Sequence, residues 1–339
     1  MLAPIRYILS NQLKCKYLKL PQKISGFTLI ELLVAMILAV LVISPLVGFA
    51  INILDTDRKE QAKATSEQEI KDALDYIAQD LKQAVYIYDN DGLSQDHNPS
   101  PTLQGNGNIN SGIKNQIPPV AGNSPNCLPA DTATCRPILV FWKRELIPSA
   151  IPVAGSGSND TFVYSLVGYY LITTPNPTWS NTARIGRFEI KNAVPNAANP
   201  NQPLVAGSPG FAGFDRSLPG TLKQKMHRWT KSGDFTTQTT ILVDYIDHTP
   251  QNTPGVPAVT NTSCQSVSTN AQLIPPNNPN GIYSFYACVD SSQNLARIYL
   301  RGNALARIQK NNNTYKTRLS TFFPSANIIV KTGGFLSPQ

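Results

Sequence analysis

The chain has 339 residues, of which 41% are hydrophobic and only 15% charged, and its net charge is +8 at neutral pH. Five basic residues, Arg6, Lys14, Lys16, Lys19 and Lys23, stand without an acid in the first 26 positions, so the remainder carries only +3. The positive excess is local to that leader and does not point to nucleic acid as a partner.

Behind the basic leader, residues 27–54 form a run of 28 residues in which Glu31 is the only charge. About 20 apolar residues suffice to cross a bilayer. An ordinary secretory signal has a shorter apolar core, roughly 7–15 residues, followed by a small-residue cleavage site. This run is too long and no convincing site follows it, so it is expected to stay in the mature chain. Positive charge in front of it predicts a cytoplasmic N-terminus and an exported C-terminal side. An acid within hydrocarbon is costly and is a functional candidate by default. The bland alternative is a glutamate near the interface with access to water.

After Leu54 the composition changes. Residues 55–80 are charged, rich in helix formers and free of Pro and Gly. Ile70, Ala73, Leu74, Ile77, Leu81, Ala84 and Val85 recur at three- and four-residue steps, an amphipathic stripe. No stop signal separates the two segments. The spacing predicts one helix from Phe27 to Val85, about 90 Å at ~1.5 Å per residue, with 55–88 as its exported, amphipathic part.

Residues 89–339 are different material. Pro, Asn, Gly and Ser cluster at 98–135, 192–220 and 249–281, which reads as long surface loops. Between them lie β-branched and aromatic runs at 138–146, 161–173, 183–190, 239–247, 282–289, 295–300, 304–308 and 326–331. These predict a mainly antiparallel sheet with the long helix on one face, an α+β head. The length allows one core or two subdomains.

Of five cysteines, Cys15 lies in the leader. The other four allow three pairings. An exported head permits disulfides, and the sequence-local pairs Cys127–Cys135 and Cys264–Cys288 are favoured over free thiols. No cysteine or histidine spacing suggests zinc. His97, His227 and His248 are scattered, and no nucleophile elbow or His-Glu-x-x-His helix is present. No catalytic residue, metal ligand or cofactor is therefore expected. Asp89-Asn-Asp91-Gly92 loosely resembles a calcium loop but lacks the late Glu, so a helix-ending turn is the preferred reading. Gly155-Ser-Gly157-Ser-Asn159 lacks the Lys-Ser/Thr ending of a phosphate loop and reads as a flexible linker. Arg297, Arg301 and Arg307 fit a solvated face, or one that meets an anionic polymer or a partner subunit.

Gly26, Phe27, Thr28, Leu29, Ile30 and Glu31, set behind a basic leader, closely resemble the N-terminus of type IV prepilins and pseudopilins. The resemblance implies cleavage between Gly26 and Phe27 by a prepilin peptidase, N-methylation of Phe27, and use of Glu31 in subunit assembly. A cut there puts the new ammonium one helical turn from Glu31, where it or a neighbour's N-terminus can compensate the carboxylate. Pilins often carry a Pro about 22 residues after the cut; here that position is Gly48, and the proline is Pro45.

Weaker similarity to J-type minor pseudopilins extends through Asp80-Leu-Lys-Gln-Ala84. The long head, with Tyr283-Ser-Phe-Tyr-Ala-Cys-Val289 through Arg307, is similar to cyanobacterial pseudopilins of hormogonium polysaccharide secretion. This implies a non-catalytic fibre subunit, held in the inner membrane with its head in the periplasm. Its partners would be other pseudopilins, the peptidase, an inner-membrane assembly platform and extracellular polysaccharide, and its process secretion with gliding motility. The alternative is a membrane-anchored carbohydrate-binding protein that uses a pilin-like N-terminus for targeting. A third is an anchored hydrolase.

Overall fold

The computed structural model describes residues 26–104, 107–119, 127–128, 133–155, 157–277 and 280–336. The basic leader ahead of Gly26, with Cys15, lies outside the described residues. The chain divides into two compact units, Met1–Thr56 and Asp57–Gln339.

Helix α1, Leu29–Lys82, contributes to both units. It continues through Pro45, although a proline has no N–H to offer the carbonyl four residues earlier, at Leu41. In the second unit one side of α1 is buried, through Ala62, Ser66, Ile70, Ala73, Leu74, Ile77, Ala78, Asp80 and Leu81. That is the face the three- and four-residue steps mark out.

The helix stops at Lys82, short of the expected Val85. Gln83 N–H turns back to the Asp80 carbonyl at 3.2 Å, and Ala84–Ile87 form strand β1. Val85-Tyr86-Ile87-Tyr88 is β-branched and aromatic, and every residue of β1 is buried. Such side chains fit a strand covered on both faces better than a helix. The continuing Leu81/Ala84/Val85 spacing concealed the change of period.

Helix α2, Asn90–Ser94, follows. Asp89 is its N-cap, with its carboxylate accepting the Gly92 N–H at 3.2 Å. The Asp89–Gly92 segment therefore begins a helix rather than ending one. Asx residues serve both purposes, and here the orphan amide of a helix start decides. Gly92 is required by close approach: a Cβ there would meet His227 Nε2 and Tyr88 Cδ1 at 2.8 Å.

Strands β2 (Cys135–Pro152), β3 (Ser158–Ile172), β4 (Ala183–Lys191) and β5 (Thr240–Ile246) join β1 in a sheet of order β1-β2-β3-β4-β5. All its pairs are antiparallel. Gly155 and Gly157, at φ 109° and 102°, lie in the turn of the β2–β3 hairpin, so this segment is a tight connection and not a linker. Helices α3 (Leu222–Met226) and α4 (Asn261–Cys264) lie in the long connections. A second antiparallel sheet has the order β6-β7-β8-β9, from Gln272–Ile274, Phe285–Asp290, Leu295–Arg301 and Ser325–Lys331.

The expected single sheet is thus two, yet one core joins them. Ile77, Phe141, Tyr169 and Phe188 pack in the same cluster as Phe285, Ile298 and Val330. The run 304–308 is not a strand: Ala304–Arg307 is a 3-10 turn capped by the Asn303 side chain, which accepts the Ala306 N–H. Strand β6 lay hidden in the Asn/Pro-rich stretch. Cys127 is bonded to Cys135 and Cys264 to Cys288, with Cα separations of 5.6 and 5.2 Å. Closing short loops of this kind contributes about 2–4 kcal/mol each.

A buried ion cluster seats α1 on the first sheet. Asp80 accepts from Lys143 Nζ at 3.1 Å, Tyr169 hydroxyl at 2.6 Å and Arg187 Nε at 2.8 Å. Glu189 pairs with the same two cations at 2.8 and 2.7 Å. Two acids and two bases from α1, β2 and β4 balance within the core. Burial pushes the Asp80 carboxyl up, but Arg187, Tyr169 and Lys143 outweigh it and hold it below its usual 3.8. Its stabilising contribution is then present above the unfolded value and is lost as pH falls through the folded one. Asp80→Asn should cost about 3 kcal/mol at pH 7, because it leaves the buried Lys143 and the half-buried Arg187 with a single acid. It should also lose less stability than wild type between pH 5 and pH 2, roughly the carboxylate range. Urea denaturation across that range measures both.

Candidate functional site: the start of the N-terminal helix

Gly26, Phe27 and Thr28 precede α1. The Thr28 hydroxyl accepts the Glu31 N–H at 3.3 Å, and the Thr28 carbonyl accepts those of Glu31 and Leu32 at 3.1 and 3.2 Å. Thr28-Leu-Ile-Glu31 thus has the Ser/Thr-x-x-Glu pattern of a helix start, with the threonine half of the capping box formed. This signal is contiguous in the sequence and marks the helix start there. Glu31 lies in the first turn, where the helix dipole favours a negative charge. The acid therefore has a local reason for its position besides any role between subunits. Phe27 stands ahead of the helix rather than on its face.

Gly26 has open space around it, with nothing within 4 Å of where a Cβ would be. Phe27 is 81% exposed and Leu29 89% exposed, and every residue from Gly26 to Leu54 is exposed. The helix is long and apolar enough to cross a membrane. Exposed and apolar on all sides, this stretch suits lipid or a bundle of other helices. One carboxylate and an apolar shaft are what it offers chemically.

The head residues singled out in the sequence are largely engaged with one another. Lys223 Nζ sits between Asp89 and Asp91, at 2.7 and 2.9 Å from their carboxylates. A lysine ammonium thus occupies the position that the calcium-loop reading reserves for a metal. No group of three or more His, Cys, Asp or Glu side chains is placed to hold a metal among the described residues.

His227 is fully buried beside this pair, 3.1 Å from the Tyr86 hydroxyl and stacked on Tyr88. Burial is the main reason its pKa falls to about 4, so the ring is neutral at pH 7. Burial also lowers His97 and His248. Arg301 pairs with the buried Asp247 at 2.8 Å. Arg307 pairs with Glu69 and bonds the Ser66 hydroxyl. Neither is a free cation on a solvated face. Arg297 bonds Asn327 at 3.1 Å and lies over Tyr299. Clustering of Asp89, Asp91, Lys223 and His227 was not visible in sequence, because 132 residues separate Asp91 from Lys223.

Residues 21–47 match the family model described as the prokaryotic N-terminal methylation motif. No curated protein and no solved structure matches the chain significantly. The match covers Gly26, Phe27, Thr28 and Glu31 and most of the exposed apolar stretch. Together with a long apolar helix and an antiparallel α+β head, it supports a pilin-like, membrane-anchored protein and implies processing and assembly of the pilin kind.

Proposed function

We propose that the chain is a minor pseudopilin of J type, a non-catalytic subunit of a type IV pilus-like or type II secretion-like fibre. The observation that carries this reading is the methylation motif placed on an exposed apolar stretch, residues 27–54, whose only acid, Glu31, lies in the first turn of α1. Residues 1–26 act as a basic leader, 27–54 as the membrane and assembly helix, 55–88 as the exported link and 89–339 as the head.

A prepilin peptidase cuts after Gly26, and the new Phe27 amine is methylated. Before assembly the subunit rests in the inner membrane with its N-terminus cytoplasmic and its head periplasmic. In hydrocarbon, the Glu31 carboxylate requires a cation and donors. The N-terminal ammonium of the same chain supplies them in the free subunit, and that of a neighbour supplies them in the fibre. This exchange sets the axial register. The partners are other pseudopilins and an inner-membrane assembly platform, and the process served is polysaccharide secretion with gliding. What suggests that last step is the sequence resemblance of the head, Tyr283–Arg307 in particular, to polysaccharide-secretion pseudopilins. No cofactor is required.

Mass spectrometry of the mature protein should find N-methyl-Phe27 as the first residue, and Gly26→Glu should leave the leader attached. A mature chain beginning at Met1, or later than Ala50, would refute the processing step. Glu31→Val should be processed normally yet fail to enter fibres, with subunit remaining in the membrane fraction. Recovery of this variant in sheared fibres at the wild-type level would refute the register role.

A further inference from the structure

The head carries a cleft of about 1110 Å³, open to solvent and bounded by α1, β5, the loop holding Thr178–Asn181 and the 3-10 turn at Ala304–Arg307. Two large aromatic rings line it while remaining exposed, Tyr76 at 45% and Trp179 at 37%. Aromatic side chains of this size gain most by burial, so two half-open rings in one concavity are a feature to explain.

The surroundings of both rings are braced. Asp244 of β5 accepts the Ser180 N–H at 2.8 Å and the Ser180 hydroxyl at 2.7 Å, which pins the loop next to Trp179. The Arg187 guanidinium, fixed by Asp80, lies 5.7 Å from the centre of the Tyr76 ring. Tyr245, also lining the cleft, has φ 56° within β5, close to the shifts of the β4–β5 register. A bulky residue in the left-handed region is strained. Arg307 covers its ring at 4.1 Å. The concavity is therefore preorganised, which lowers the ordering cost of binding.

Its charge narrows the ligand. Glu69 is neutralised by Arg307, which leaves Asp72 and Asp244 against Lys310. A polyanion meets two carboxylates here, the reverse of an anion-binding groove. A small apolar ligand favours a more enclosed cavity. A peptide strand added to the β5 edge meets a blocked end, since the Tyr245 carbonyl already accepts the Asn303 N–H at 2.7 Å and the Asp247 N–H is bonded to Arg301. Aromatic faces flanked by carboxylate and amide groups suit a sugar ring, whose C–H face stacks on the ring while its hydroxyls donate and accept at the edges.

We propose that this cleft binds a neutral oligosaccharide, with Trp179 and Tyr76 as stacking platforms and Asp72 among the hydroxyl acceptors. Such binding does not depend on processing or assembly. The test uses the full chain in a polyoxyethylene detergent, because maltoside headgroups are themselves sugars. Calorimetry would be run with cellohexaose, maltohexaose and mannohexaose, and with oligogalacturonate and a lysine-rich decapeptide as charged probes. At least one neutral hexamer should bind with Kd of about 1 mM or tighter. Trp179→Ala should weaken it at least ~10-fold and Trp179→Phe by less than ~3-fold, the difference being the retained ring. Near-UV circular dichroism of both variants should report a folded head, and Glu31→Val should bind like wild type. Absence of binding by all three neutral hexamers would overturn the proposal. So would undiminished binding by Trp179→Ala, or tighter binding of either charged probe.

Discussion

The Asp80 carboxylate is the interaction on which the head's architecture turns. It sits at the last turn of α1 and is reached from β2, β3 and β4 at once, by Lys143, Tyr169 and Arg187. Apolar packing alone leaves some freedom here, because Ile70, Leu74, Ile77 and Leu81 form a stripe that presents nearly the same surface after a shift of one turn. A carboxylate that must meet two cations and a phenol has no such freedom. Moved by ~5.4 Å along the helix, it would be buried without partners, at a cost of several kcal/mol. We read the cluster as fixing the register of helix on sheet, with the apolar stripe supplying the bulk of the adhesion.

The same helix is built for two solvents. Up to Leu54 it is apolar on every side and exposed, and past Asp57 it is amphipathic with one face buried. Backbone hydrogen bonding is satisfied within the helix, so the chain can pass from hydrocarbon to water without a change of secondary structure. Pro45 is the exception, since it leaves the Leu41 carbonyl without its usual donor. Glu31 tolerates its setting partly because the helix start draws negative charge toward it.

Much of this was legible in the residues. The apolar run, the amphipathic stripe and most of the strands follow from composition and period, because each is a local pattern. The failures have physical reasons. Ala84 and Val85 extend a helical stripe by accident of spacing, and only pairing of Tyr86 and Ile87 with Trp142 and Phe141 reveals a strand. Ala304–Ile308 has only one β-branched side chain, Ile308, and its Ala, Leu and Arg residues favour a helical turn behind the Asn303 cap, so the expected strand went against local propensity. Gln272–Ile274 is too short for a period and is defined by its partner, Cys288 among others. At the candidate site, Gly26, Phe27 and Glu31 stand out in sequence because a motif is contiguous. Lys223 between Asp89 and Asp91 does not, since an ion pair between distant segments leaves no local trace. The cleft of Tyr76 and Trp179 is likewise a product of folding.

The ion cluster also has a mechanical consequence. A pull delivered along α1 reaches the head through contacts arranged across the helix axis, so the load is shared among them in shear and they cannot be peeled apart one at a time. Asp80 lies at the far end of that interface, where it is strained only after the contacts from Ala62 onward have begun to slide. Resistance to such a pull is governed by the rate of unfolding rather than by equilibrium stability. A buried, multiply bonded charge at the terminal anchor slows that rate, since no partial slip offers it new partners.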